Sequence, residues 1–216
     1  MKKFIFFLLT LGTVTALTAQ DLNTIEFKNK TKNEIYYLFF SPGDSEYWGP
    51  DVLGDTRTLT AGETVEFFIS YPDPINTFDF MAIDDEGNVY EFYDMEISDE
   101  EPARIVINSS YVTDQVDLDS LEEDLVALEI QNVTGFELYY MFISPYDSNM
   151  YGIDFMDSET TLMDGDSVSV LIFQSNAEIA YDIMAIDDEG DSYSFQLSLD
   201  PDMESQYTEI TLDDID

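Results

Sequence analysis

Carboxylates are the one reactive group this chain offers in quantity. Of 216 residues, 47 are Asp or Glu and 7 are Lys or Arg, with no histidine and no cysteine. That composition removes Ser-His-Asp and Cys-His nucleophilic catalysis, thiol redox chemistry and zinc sites of the usual ligand set. No glycine-rich phosphate loop is present. A carboxylate pair of the glycosidase type remains as a catalytic option. Adjacent acids such as Asp84-Asp85 and Glu122-Glu123 are too common here to single one out. The sequence reads as non-enzymatic.

Carboxylates also suit hard cations, since calcium takes about six to eight oxygen ligands. Two acidic sets stand out, and each occurs twice. Asp44, Asp51 and Asp55 recur as Asp147, Asp154 and the displaced Glu159, while Asp84, Asp85 and Glu86 recur as Asp187, Asp188 and Glu189. Neither set has the internal glycine and terminal glutamate of a calcium loop, and Asp85-Glu86-Gly87 reads first as a hairpin turn. The expectation is therefore no dedicated cofactor, with weak, diffuse Ca2+ or Mg2+ association along the acidic surface. Among aromatic residues, Trp48 is the only tryptophan; it follows Tyr47 and is replaced by Tyr151 in the second occurrence. Such rings serve either as an exposed platform for a sugar or protein partner, or as a plug closing the end of a sandwich. The plug is the favoured reading.

These residues come in pairs because the chain repeats itself. Residues 21–108 align with 124–216 at an offset of 103, and Met81 to Gly87 is identical to Met184 to Gly190. A period of this size gives each copy enough residues to close its own core. Strand-like alternation runs through Thr24–Asn29 (Ile25, Phe27) and Thr64–Ser70 (Val65, Phe67, Ile69). Ile35–Phe40 and Leu138–Ile143 are apolar on both faces, which suits a central strand covered on both sides. Thr77–Asp84 and Asn88–Tyr93 flank the turn at Gly87, and Ala61-Gly62 and Asp164-Gly165 mark further turns. The predicted fold is all-β: two tandem antiparallel β-sandwiches of immunoglobulin-like size, 20–108 and 124–216, joined by an acidic linker 109–123. Val116, Leu118 and Leu121 allow one helical turn in that linker, with Asp119 or Ser120 as its N-cap.

Residues 1–19 have the basic start, apolar run and small-residue end of a secretory signal peptide. The mature protein is thus expected to be secreted or periplasmic, without membrane insertion. Removing the signal takes Lys2 and Lys3 but no acid, so the net charge goes from −40 to −42. So acidic a surface excludes nucleic acid as a partner. Lys28, Lys30 and Lys32 are outnumbered by surrounding acids. The partner expected is a protein or a glycan at the envelope. Asn29 and Asn132, which match a glycosylation acceptor pattern, are expected to be turn formers between the first two strands of each copy.

The most distinctive segment runs from Ser41 to Gly54 and fits S-P-x-x-S-x-x-W-G-x-D-x-L-G. It resembles small secreted bacterial β-sandwich proteins whose activity is uncharacterised, and the likeness extends to Leu59, Gly62 and the hairpin at 82–87. The resemblance implies a secreted sandwich and no particular activity. The second copy departs from the pattern at Tyr146, Tyr151 and Met156-Asp157.

Overall fold

The computed structural model describes residues 22–70, 77–97, 102–148, 151–156, 160–173, 180–200 and 203–216. The expected signal peptide and Glu159 lie outside them. The described chain is almost entirely β. In the first half, β1 (Asn23–Asn29) pairs antiparallel with β3 (Thr64–Ser70) and parallel with β6 (Ala103–Ile107). The facing sheet has the order β2 (Ile35–Pro42), β4 (Thr77–Asp84), β5 (Asn88–Glu96), β7 (Val112–Gln115), all antiparallel. The second half repeats this pairing. There β8 (Leu125–Asn132) lies between β11 (Ser167–Phe173) and β14 (Ser205–Ile210), and β12 (Ala180–Asp187) lies between β9 (Leu138–Pro145) and β13 (Ser192–Ser198). The other elements among the described residues are β10 (Gly152–Ile153), α1 (Leu118–Glu123) and two 3-10 turns, Ser109–Tyr111 and Leu212–Asp214. Among the described residues no helix is long and apolar enough to cross a membrane.

Alternation decides which side chains enter each sandwich. On β1, Ile25 and Phe27 point inward, and Phe27 meets Phe80 of β4 edge-on at 5.1 Å and Phe67 of β3 at 6.0 Å. Each such side chain contributes roughly 1.5–3 kcal/mol by leaving water. Asn29 and Asn132 form the predicted turns. Both are fully buried; Asn29 donates to the carbonyls of Asn33 and Leu59 and accepts from the N–H and hydroxyl of Thr31, and Asn132 does the same with Phe136, Leu162 and Thr134.

Three sequence expectations change. β2 and β9 stand at the ends of their sheets, not at the centre. Their free edges are bridged by loop residues, Leu59 and Asp51 on β2, Leu162 and Asp154 on β9. They are apolar on both faces because the other half covers the outer one. The linker also proves to be structured: β7 extends the first half's sheet, and α1 is capped by Asp117, whose side chain accepts the N–H of Asp119, in place of Asp119 or Ser120. Lastly, the two cores are continuous, one buried cluster running from Ile25 in the first half to Ile210 in the second.

Candidate functional site

The Ser41–Gly54 segment builds the junction between the halves. Ser41 and Ser45 hydroxyls donate to the carbonyl of Tyr47 at 2.8 and 3.1 Å, curling the loop. Gly43 must lack a side chain, because a Cβ there would lie 2.5 Å from the Thr77 hydroxyl. The second copy carries Tyr146 at this position, and its counterpart of Thr77 is Ala180, which frees the space. The backbone bond is the same in both: Gly43 N–H to Thr77 at 2.8 Å, Tyr146 N–H to Ala180 at 2.9 Å.

Contacts across the junction come in pairs related by exchanging the halves. The Ser45 hydroxyl donates to Asp147 at 2.7 Å, and that of Ser148 donates to Asp44 at 2.9 Å. The Asp51 N–H reaches the Leu171 carbonyl at 2.8 Å, and the Asp154 N–H reaches that of Phe68 at 2.9 Å. Leu125, Leu171 and Phe173 cover the outer face of β2 and β4 at Tyr37, Phe39 and Met81, while Leu22 takes the matching place over Phe142 and Met184. The symmetry fails at β10: Gly152-Ile153 pairs with Ile69-Ser70 and extends the first half's sheet. Its counterpart Gly49 returns its N–H to the Phe40 carbonyl at 2.7 Å, so no equivalent strand forms on β11.

The structure takes Asp51 and Asp154 out of the proposed cation sets. Both have zero exposure. Asp51 Oδ1 accepts the N–H groups of Leu38 and Leu53 at 2.8 and 3.1 Å; Asp154 Oδ1 accepts those of Met141 and Met156 at 2.9 and 3.2 Å. Each carboxylate thus ties an edge strand to its bridging loop. Asp51 Oδ2 is buried with no hydrogen-bond partner. Burial pushes its carboxyl up to about 7, against the lowering effect of its two N–H donors and of Arg57.

Asp84 and Asp187 are staples inside their hairpins. Asp84 accepts from the N–H groups of Glu86 and Asn88, from the Asn88 and Asn33 amides and from the Tyr90 hydroxyl at 2.7 Å. Burial alone would raise its pKa, yet the bonds from Asn88, Tyr90 and Asn33 outweigh it and hold the carboxyl below the usual range. Asp187 accepts from the N–H groups of Glu189 and Asp191 and from the Tyr193 hydroxyl. Asp85 and Asp188 point outward, as do Asp44, Asp147 and Asp55. Among the described residues no three such groups converge where they could hold a metal ion.

Trp48 is half-buried, packed on the Tyr37–Phe39–Met81 cluster at the junction and not at a sandwich end. Its carbonyl accepts the Tyr181 hydroxyl from the other half at 3.2 Å. Tyr151 is half-buried against Phe142, Met184 and Ile186, and burial followed by Asp182 pushes its hydroxyl up. Tyr47 is half-buried and caps its own loop.

What sequence reasoning missed is a groove of about 1080 Å³ between the halves. Its floor holds Tyr37, Leu125 and Leu171, and Asp55, Glu122 and Glu204 are among its walls. A second hollow of about 810 Å³ shares Asp55, Thr56 and Ala127 with it. The Tyr37 hydroxyl lies 3.5 Å from Glu122, and burial first, then the negative charge of Glu122, pushes it up to about 12. No single copy contains this groove; the acids of α1 were its only trace in the sequence.

No family model and no curated protein matches the chain. Among solved structures, an NMR structure of a protein from Eubacterium rectale is 15% identical, covering 44% of this chain and 84% of its own, with a TM-score of 0.34. The crystal structure of CBMbc (family CBM26) from Eubacterium rectale Amy13K, in complex with maltoheptaose, is 10% identical, covering 88% of this chain and 91% of its own, with a TM-score of 0.24.

Proposed function

We propose that this is an exported, non-enzymatic binding module, acting at the cell envelope or outside the cell, whose inter-half groove takes a cationic segment of a partner protein. The observation that carries the reading is the groove itself: an apolar floor at Tyr37, Leu125 and Leu171 beneath walls where Asp55, Asp119, Glu122, Glu123 and Glu204 outnumber the single base Arg57. Lysine or arginine side chains lay apolar stems on such a floor and present charged heads to the carboxylates. A chain of net charge −40 also draws cationic partners from a distance, a pull that salt screens over about 8 Å at physiological ionic strength. Trp48 and Tyr151 support a sugar platform poorly, since both rings are packed at the junction.

Calorimetric titration of the full mature chain with a lysine-rich amphipathic peptide tests this. Saturable binding should weaken about tenfold in the Glu122→Gln/Glu123→Gln variant and remain unchanged in Glu209→Gln, which lies outside both hollows. Equal weakening in both variants would mean diffuse attraction and no site. Saturable, salt-independent binding of a neutral oligosaccharide that the same double variant weakens would make the partner a glycan instead.

A further inference from the structure

Asp51 occupies an unusual place for a carboxylate in a protein so rich in exposed ones. Its N–H crosses to Leu171 of the other half, its Oδ1 holds Leu38 on β2 and Leu53 in the loop beyond, and its Oδ2 is buried with no donor. A carboxylate with one oxygen unsolvated and unbonded favours its neutral form, because the charged form forfeits hydration that nothing in the site replaces. The charged and titratable groups around it are few. Arg57 and Asp55 come from the same loop, and Tyr37, next to Glu122 of α1, comes from β2; β11 contributes Leu171 and Ser169, which do not titrate. The one guanidinium donates to the Val52 carbonyl at 2.9 Å and lies over the Phe67 ring at 5.1 Å.

We infer that Asp51 is a proton-operated latch between the two halves, tight while its carboxyl is protonated and looser once the proton is lost. Ionisation sends the proton to solvent and leaves a charge under the Asp51–Leu171 hydrogen bond. The favoured response is for the loop to lift away from β11 so that water reaches Oδ2. Leu171 also lines the groove, so the latch sets how firmly that wall is held. The inference stands apart from what the groove binds.

Hydrogen exchange of the Asp51 amide in the full mature chain reads the latch directly. With the intrinsic exchange rate divided out, the opening constant in the wild-type protein should rise about tenfold per pH unit between about pH 5 and about 7, then level off. In Asp51→Asn, which keeps the Oδ1 acceptor and cannot ionise, that rise should vanish. Equal slopes in both proteins would overturn the inference. Should the variant fail to fold, the carboxyl-carbon NMR titration of wild-type Asp51 decides alone. A midpoint near neutrality supports the latch, and one near about 4, the ordinary aspartate value, refutes it. Loss of the latch with peptide binding intact, or the reverse, would separate this inference from the proposed function.

Discussion

Gly152 offers the sharpest test of how the halves meet. It has φ +79, and a Cβ built on it would lie 2.2 and 2.6 Å from two ring carbons of Phe40, a fully buried residue of the other half. Gly152→Ala therefore carries two costs. Holding alanine in the left-handed region costs about 1–2 kcal/mol. Displacing a ring that has no route to solvent is overpacking, typically about 1–3 kcal/mol. Gly165 isolates the first cost: its φ is +87, and a Cβ there would meet nothing within 4 Å. Urea unfolding of the two variants should thus place Gly152→Ala below Gly165→Ala by about 1–3 kcal/mol, or roughly 2–12 °C in melting temperature for a chain of this size. Adding Phe40→Leu should return part of the loss in Gly152→Ala and none in Gly165→Ala, the coupling expected of residues in contact. Equal stability of the two alanine variants, with no coupling to Phe40, would mean that Gly152 does not lie against the Phe40 ring of β2, and the account of the junction would fall.

Three further outcomes follow. Asp51 has a folded pKa of about 7 against an ordinary 3.8, so its protonated form stabilises the fold fully below about pH 4, and this contribution is lost as pH rises through about 7; relative to Asp51→Asn, the wild-type protein should lose about 4 kcal/mol between pH 4 and 8 in chemical denaturation, and a constant difference would refute the burial argument. Trp48→Ala should cost about 1.5–3 kcal/mol, between the values for a buried and an exposed ring, with partly shielded acrylamide quenching; free quenching together with an unchanged melt would place the ring in solvent. Melting temperature should rise with salt, and more with millimolar Mg2+ or Ca2+ than with sodium at equal ionic strength, whereas indifference from 10 mM to 1 M would show that charge repulsion is unimportant here.

Much of each sandwich was legible because period-two alternation reports directly which face of a strand is buried. β3 and β4 fall on the residues their patterns mark, and Gly87, at φ +78, makes the hairpin its position implied. Alternation does not say what covers a face. Ile35–Phe40 showed two apolar faces, but the second is covered by Leu125, Leu171 and Phe173, more than 80 residues away in sequence, so a central strand was inferred where an edge strand lies. Asp51 was hidden for the same reason, since among 47 acids nothing in its type sets it apart. Pro50 and Val52 flank Asp51, and Ile153 and Phe155 flank Asp154, whereas the outward-pointing Asp85 and Asp188 sit between other acids. Apolar flanks recurring at the repeat offset do not single Asp51 out, because Glu26 and Glu129, and Asp79 and Asp182, share them on strands whose alternation turns these acids away from the core. The groove was hidden too, because its walls come from both copies and the segment between them.

The paired contacts across the junction have the form of a homodimer interface, with the same surface used twice. Two separate chains meeting through such a surface would part on dilution, since their association depends on concentration. Here the Ser109–Glu123 segment joins the partners and is itself anchored, through β7 on β5 and Leu121 on the cluster at Tyr37. A tether of this length holds each half at an effective concentration on the order of millimolar from the other's point of view. The groove between them therefore exists in every single molecule, and its population is the same in a crowded compartment as in the most dilute medium the protein could enter.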